Sequence, residues 1–197
     1  CKDYNLQNKA RKENILKQQF NPKSPNEVWV SDVTYFKLNG KTFYFCVILD
    51  LYARKIISYT ISKKNSTWLT KTTLIKAYED RNPDTSKLLF HSDQGYNYTS
   101  KTFINCLSAF GIRQSFSRKG VPYDNSVCES FFKSLKQEEL YRTNYRSEKH
   151  LRNALSEYVV FYNDKRPHTY LHYHTPNKAE ADYYHYSSQK EKAPIEQ

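Results

Sequence analysis

The run Val28-Trp29-Val30-Ser31-Asp32-Val33-Thr34-Tyr35-Phe36 restricts the fold more than any other part of this chain. Strand side chains alternate between two faces, and here both faces are largely apolar. A strand of that kind belongs in the middle of a sheet that is covered on both sides. Asp32 then needs a reason to be there, because an unpaired buried carboxylate costs on the order of several kcal/mol. A buried lysine or arginine would satisfy it, and so would a metal ion. Asn39-Gly40 next signals a two-residue hairpin, with a return strand over 41–50. A tight turn near Tyr52-Ala53 and a third strand from Lys55 to Ile61 complete an antiparallel meander.

Helix and strand then alternate. Ser66 stands as N-cap of a helix reaching about Arg81, with Trp68, Ile75 and Tyr78 at helical spacing. Leu88-Leu89-Phe90 marks a buried strand over 87–92 that runs into His91-Ser92-Asp93-Gln94-Gly95. A helix from Thr99 buries Phe103, Leu107 and Phe110 and stops at Gly111. A strand from Ile112 to Phe116 leads to the loop 117–123, and a helix carrying Glu129 in its first turns follows. A last helix from Ser147 aligns Leu151, Leu155, Tyr158, Val159 and Tyr162 and ends by Pro167. This order predicts an α/β domain, a mixed five-stranded sheet flanked by helices. Residues 1–26 read as a basic linker or arm, either lying on DNA or solvated. Residues 27–166 form the core, and 167–197 an irregular arm that packs its tyrosines, followed by a disordered tail.

A formal charge of +11 makes a polyanion the natural partner. The chain also holds 18 tyrosines, 11 phenylalanines and two tryptophans, rings able to stack on bases where they are not core. Cys1, Cys46, Cys106 and Cys128 form no Cys-x-x-Cys pair, which argues against a zinc ribbon or disulfide framework and suits a reducing cytosol. No apolar run approaches membrane-spanning length and no signal-peptide pattern is present. A chain beginning at Cys1 and holding no methionine reads as a segment of something longer.

Asp32, Asp93 and Glu129 come from three separate elements. Hard divalent ions take carboxylate, phosphate and water oxygens, and two such ions can activate an attacking oxygen and stabilise a leaving one. Each acid has a plainer reading: an ion pair for Asp32, an Asp-Gln-Gly turn for Asp93, a Ser126-x-x-Glu129 capping box for Glu129. Asp124 and Asn125 compete for that cap and would leave Glu129 free. Lys133 and Lys136, at i+4 and i+7 from Glu129, share its helical face and aim at any phosphate held there. Asp50 reads as structural, bonding its own turn or pairing with Arg54. His91, Ser92 and Asp93 are strand neighbours and cannot form a hydrolase triad. His168, His172 and His174 lack the cysteine or H-E-x-x-H context of a zinc site.

Three segments carry a resemblance: Trp29-Val30-Ser31-Asp32-Val33-Thr34-Tyr35, His91-Ser92-Asp93-Gln94-Gly95 and Tyr123-Asp124-Asn125-Ser126-Val127-Cys128-Glu129-Ser130-Phe131-Phe132. They resemble the D-D-E core of bacterial insertion-sequence transposases of the IS-three family, which is related to retroviral integrases. The 35 residues between Asp93 and Glu129 match that group's spacing, and Tyr162-Asn163-Asp164-Lys165-Arg166-Pro167-His168 is similar to its closing motif. The resemblance, over about residues 27–177, implies a ribonuclease-H-like fold with Asp32, Asp93 and Glu129 as catalytic, metal-binding acids. It implies two magnesium ions, with manganese as substitute, and Lys136 as a DNA contact. Arg118 and Lys119 flank Gly120 in an expected mobile loop and join Lys133 as further DNA contacts; His91 and Asn125 would support the site. The implied activity is cleavage at transposon ends and 3′-hydroxyl strand transfer, by a copy-out, paste-in route through a circular intermediate. The implied partners are transposon-end and target DNA and further copies of the chain on paired ends, in a bacterial cytoplasm at the nucleoid, with no membrane. A catalytically decayed DNA-binding core, and a ribonuclease or junction nuclease on the same fold, are the alternatives. Two departures stand out. His172 occupies a position where the closing motif usually has glycine, and the family's helix-turn-helix recognition region is missing.

Overall fold

The computed structural model describes residues 12–192. The meander is present as β1 (Val28–Leu38), β2 (Lys41–Asp50) and β3 (Lys55–Ser62), with Asn39 and Gly40 both at positive φ in the hairpin turn. Helix α1 (Thr67–Arg81) follows, then β4 (Leu89–Ser92), α2 (Tyr96–Thr99), α3 (Lys101–Ala109) and β5 (Arg113–Phe116). The chain continues through a 3-10 turn, Pro122–Asn125, into α4 (Ser126–Leu135) and a π turn, Lys136–Leu140. It closes with α5 (Glu148–Asp164) and α6 (Pro176–Lys192). The sheet order is β3-β2-β1-β4-β5: antiparallel through the meander, parallel from β1 to β4 and β5. This is the mixed five-stranded sheet that the element order predicts.

β1 is central, and its alternation sends side chains into two cores. Val30 packs in one core with Phe131 and Leu135 of α4 and Leu151 and Leu155 of α5. Trp29 packs in the other with Leu74 and Ala77 of α1 and Phe103 and Leu107 of α3. Each core removes several large side chains from water at about 1.5–3 kcal/mol apiece, and this clamps β1 from both faces. Asn163 of α5 seals the outer edge of β3. Its amide donates to the Ile56 carbonyl (2.9 Å) and its carbonyl accepts from the Ile56 amide (3.0 Å).

Four local expectations change. The helix placed from Thr99 is two pieces, with Ser100 capping α3 by accepting from the Phe103 amide. Ser66 precedes α1 without a side-chain capping bond. The arm expected from residue 167 is irregular only up to Thr175, and from Pro176 to Lys192 it is helical; residues 193–197 lie outside the described part. Glu180 explains that helix, since its carboxylate takes Lys55 (2.5 Å) and Arg81 in a pocket leaving its side chain 8% exposed, and Tyr183 packs edge-on against Tyr52. The fourth concerns the basic arm. Residues 1–11 lie outside the described part, but Glu13 to Phe20 dock on the core, with Leu16 only 3% exposed.

Candidate active site

Parallel register brings the first two acids together. Ser31 of β1 is level with Ser92 of β4, so the next residues, Asp32 and Asp93, leave adjacent strands side by side. Neighbouring strands lie only about 4.8 Å apart. Alternation gives both acids the face of Val30 and His91, the face that α4 covers. Glu129, in the first turn of α4, completes the arrangement: Asp93, Asn125 and Glu129 line one cavity of about 400 Å³. Burial pushes Asp32 up to about 7; the charges of Asp93 and Glu129 add to this, while the Val33 amide and Lys136 work against it.

Among the described residues, no three His, Cys, Asp or Glu side chains approach as a ready-made metal cage. The carboxylates instead take their own backbone: Asp32 Oδ1 accepts from the Val33 amide (2.7 Å) and Asp93 Oδ1 from the Gly95 amide (2.9 Å). Gly95 makes it possible, because a Cβ there would meet Asp93 Oδ1 at 2.9 Å. The chemistry of the donor set fits a hard divalent ion: carboxylate oxygens only, one of them raised in pKa by burial and by its two acidic neighbours.

The second tier is a hydrogen-bonded chain around His91, which is fully buried. Its Nε2 faces the Asp124 carbonyl (2.9 Å), which can only accept, so Nε2 carries the proton. Nδ1 then accepts from the Ser115 hydroxyl (2.8 Å), whose oxygen accepts from the amides of Ile15 and Leu16 (3.0 and 3.1 Å). Burial lowers His91 to about 4, in keeping with this neutral tautomer. His91 thus ties the strand of Asp93 to the segment that enters α4.

Neither Asp124 nor Asn125 caps α4, and no hydrogen bond joins Ser126 to Glu129 among the described residues. The capping-box alternative is absent. The Asp124 carboxylate is buried and accepts from Asn14 Nδ2 (2.8 Å), Gln18 Nε2 (2.8 Å), the Arg118 amide (2.8 Å) and Arg118 Nε (3.1 Å). Arg118 beside it holds this carboxyl well below the usual range. Arg118 is therefore an ion-pair partner, while its outer face and Lys119 stay exposed on the cavity wall with Gly120 at φ +72°. Lys133 and Lys136 do share a cavity with Glu129, as the helical spacing predicts. Asn125 lines the acid cavity, 5% exposed, with a buried Oδ1 that has no partner among the described residues.

Asp50 bonds its turn, accepting from the amides of Asn26 (2.6 Å) and Tyr52 (2.9 Å). The pairing with Arg54 does not form; Arg54 donates to the Leu51 carbonyl and stacks over Tyr170. One supporting residue carries no sequence signal. Tyr98, nearly buried, shares a 2.8 Å hydrogen bond with Ser31, the residue before Asp32, and nothing local separates it from the other tyrosines.

Comparison with known proteins places this arrangement. Residues 22–122 match the family model described as integrase core domain, and residues 110–176 match a second model of that description. The chain belongs to the integrase core family. Its similarity to a transposase of insertion sequence element IS150 from Escherichia coli is 39% identity over 153 residues, 78% of this chain and 54% of the relative. A transposase for insertion sequence element IS904 from Lactococcus lactis is 34% identical over 168 residues, 85% of this chain and 66% of that one. The integrase core described here thus spans roughly half to two thirds of these curated relatives.

Solved structures agree on the fold. A chain of the simian T-cell lymphotropic virus intasome, in complex with a PP2A regulatory subunit, superposes with a TM-score of 0.69 at 20% identity, covering 90% of this chain and 58% of that one. The HTLV-2 integrase catalytic core domain, in complex with magnesium, gives 0.63 at 18% identity, covering 81% and 99%. The fold is ribonuclease-H-like.

Proposed function

We propose that this integrase core is the catalytic domain of a DNA transposase, with Asp32, Asp93 and Glu129 as its metal-binding acids. The observation that supports the reading is placement: the strand register sets Asp32 of β1 beside Asp93 at the end of β4, and Asp93 and Glu129 line one cavity. The three carboxylates would hold magnesium, or manganese in its place, as two ions; bound there, the metal would supply Lewis-acid activation of the attacking oxygen and charge neutralisation at the leaving one.

The chain's own residues do the rest. Lys133 and Lys136 lie beside Glu129 and place positive charge where a phosphodiester would sit. Asn125, buried beside the acid cavity four residues before Glu129, supports the site from the start of α4. His91 supports the site from below, and the Ser117–Val121 wall with exposed Lys119 covers it from above. In hydrolysis, water oxygen joins phosphorus as the bond to the 3′ oxygen breaks, leaving a 3′-hydroxyl. That hydroxyl then attacks a second phosphodiester, forming one P–O bond and releasing another 3′ oxygen as its alcohol. Partners are transposon-end and target DNA and further copies of this chain on paired ends. The setting of that activity is a bacterial cytoplasm, in keeping with the bacterial relatives, and the nucleoid, where its DNA lies; among the described residues, no helix is long and apolar enough to cross a membrane.

The test uses a branched DNA that imitates the strand-transfer product, because reversal demands less recognition of the ends. Magnesium- or manganese-dependent resolution by this chain, lost in Asp93→Asn, is expected. Activity that survives in Asp93→Asn removes the acid assignment. DNA binding that persists without cutting in either protein supports a decayed core, and preference for RNA–DNA hybrids or four-way junctions supports the nuclease alternative.

A further inference from the structure

β4 pairs with β1 only over Val28–Ser31, whereas β2 pairs with β1 from Trp29 to Leu38. Beyond the acids, the edge of β1 that β4 leaves uncovered faces α4 and the π turn, and a groove runs between them. Its first part, about 380 Å³, begins at Glu129 and passes Lys133, Lys136 and Tyr141. Its second, about 190 Å³, continues past Lys136 and Tyr141 to Tyr35 and Lys37. Glu129 also lines the acid cavity, so the groove begins beside the candidate active site.

The π turn decides what the track presents. In a regular α-helix, Tyr141 would point roughly 140° away from Lys136, five residues earlier. An i→i+5 turn brings it back over Lys136, and the Tyr141 amide does donate to the Lys136 carbonyl (2.9 Å). Tyr141 therefore overlooks the lysine-lined track, 76% exposed, with Tyr35 63% exposed further along. Charge is sorted across the same turn. Glu138 is held by Arg166 and Tyr158, and Glu139 by Tyr145, so among the described residues Glu129 is the single acid lining the groove beyond the acid cavity.

We infer that this groove binds unpaired nucleotides of the DNA strand leaving the catalytic cavity, with Tyr141 and Tyr35 as stacking platforms and Lys37, Lys133 and Lys136 along the phosphates. A basic track with exposed rings along it is how proteins hold single-stranded nucleic acid, and stacking needs bases free of their partners. The inference rests on the proposed function and names which part of the DNA the site takes.

Equilibrium binding is measured with a duplex bearing a short unpaired overhang, 2-aminopurine at each overhang position in turn, beside a blunt duplex of equal length. Tyr141→Ala weakens overhang binding about tenfold and abolishes 2-aminopurine quenching, Tyr141→Phe retains both, and blunt-duplex binding is unchanged. Thermal melting accompanies each variant; an exposed ring leaves the fold intact. If overhang binding requires Lys133 and Lys136 but ignores Tyr141 and Tyr35, the groove inference falls and the proposed function stands. If the parent chain binds neither DNA, both fall.

Discussion

Asp32 carries the effect of its surroundings in its protonation. Its carboxyl is pushed up to about 7 by burial and by two like charges, well above the ordinary carboxylate value near 4. A folded-state pKa raised in this way means that the protonated form favours the metal-free fold. That contribution is complete below about pH 4 and declines as the pH rises to about 7. Melting temperatures of the metal-free chain should therefore carry a component that falls across this window. Magnesium should restore it near pH 7, and Asp32→Asn should remove it; a pH profile unaltered by the substitution would contradict the account. Glu129 separates differently. Glu129→Gln should abolish cleavage while leaving the melting temperature within a few degrees, because its side chain caps nothing. His172 is a third case at this scale. It sits at φ 52°, which explains why glycine is usual there, and His172→Gly should stabilise by about 1 kcal/mol, read as a rise of a few degrees in Tm.

At the scale of elements, the arm before β1 belongs to the active-site scaffold. Asn14 and Gln18 donate to the buried Asp124 carboxylate, one residue before Asn125 and five before Glu129. Hydrogen bonds to charged groups contribute about 1.5–3 kcal/mol each. Asn14→Ala with Gln18→Ala should lower unfolding free energy by a few kcal/mol. It should also raise amide exchange across 117–125 more than in α1 or β3. Equal loosening everywhere would mean that the arm is ordinary packing. Sparse apolar positions give those first residues no local signal of order, since the partners that fix them lie about a hundred positions away.

For the molecule as a whole, α6 is fastened to β3 and α1 through Glu180, Lys55 and Arg81. Losing one partner of a buried ion pair strands the others, at about 3–5 kcal/mol. Glu180→Ala should approach that cost in denaturant unfolding, and a loss below about 1 kcal/mol would place the cluster in solvent. Its two cations hold the Glu180 pKa below normal, so this stabilisation is present above the ordinary glutamate range and lost on acidification, the reverse of Asp32.

Alternating apolar residues around Asp32, the Asn39-Gly40 turn and the helical spacing of Leu151 to Tyr162 made the sheet and its helices legible. Each is a local pattern acting through a fixed backbone period. Asp32, Asp93 and Glu129 are legible as a set through the resemblance that their flanking segments carry. Other features depend on contacts between distant residues, which no local period encodes: the register that sets Ser31 level with Ser92, and the diversion of Asp124 from capping to the arm. Tyr98 beneath Ser31, the ordering of α6 by Glu180, and the π turn that swings Tyr141 over Lys136 were likewise decided only by tertiary packing, because burial and pairing select among states that are locally near-equal.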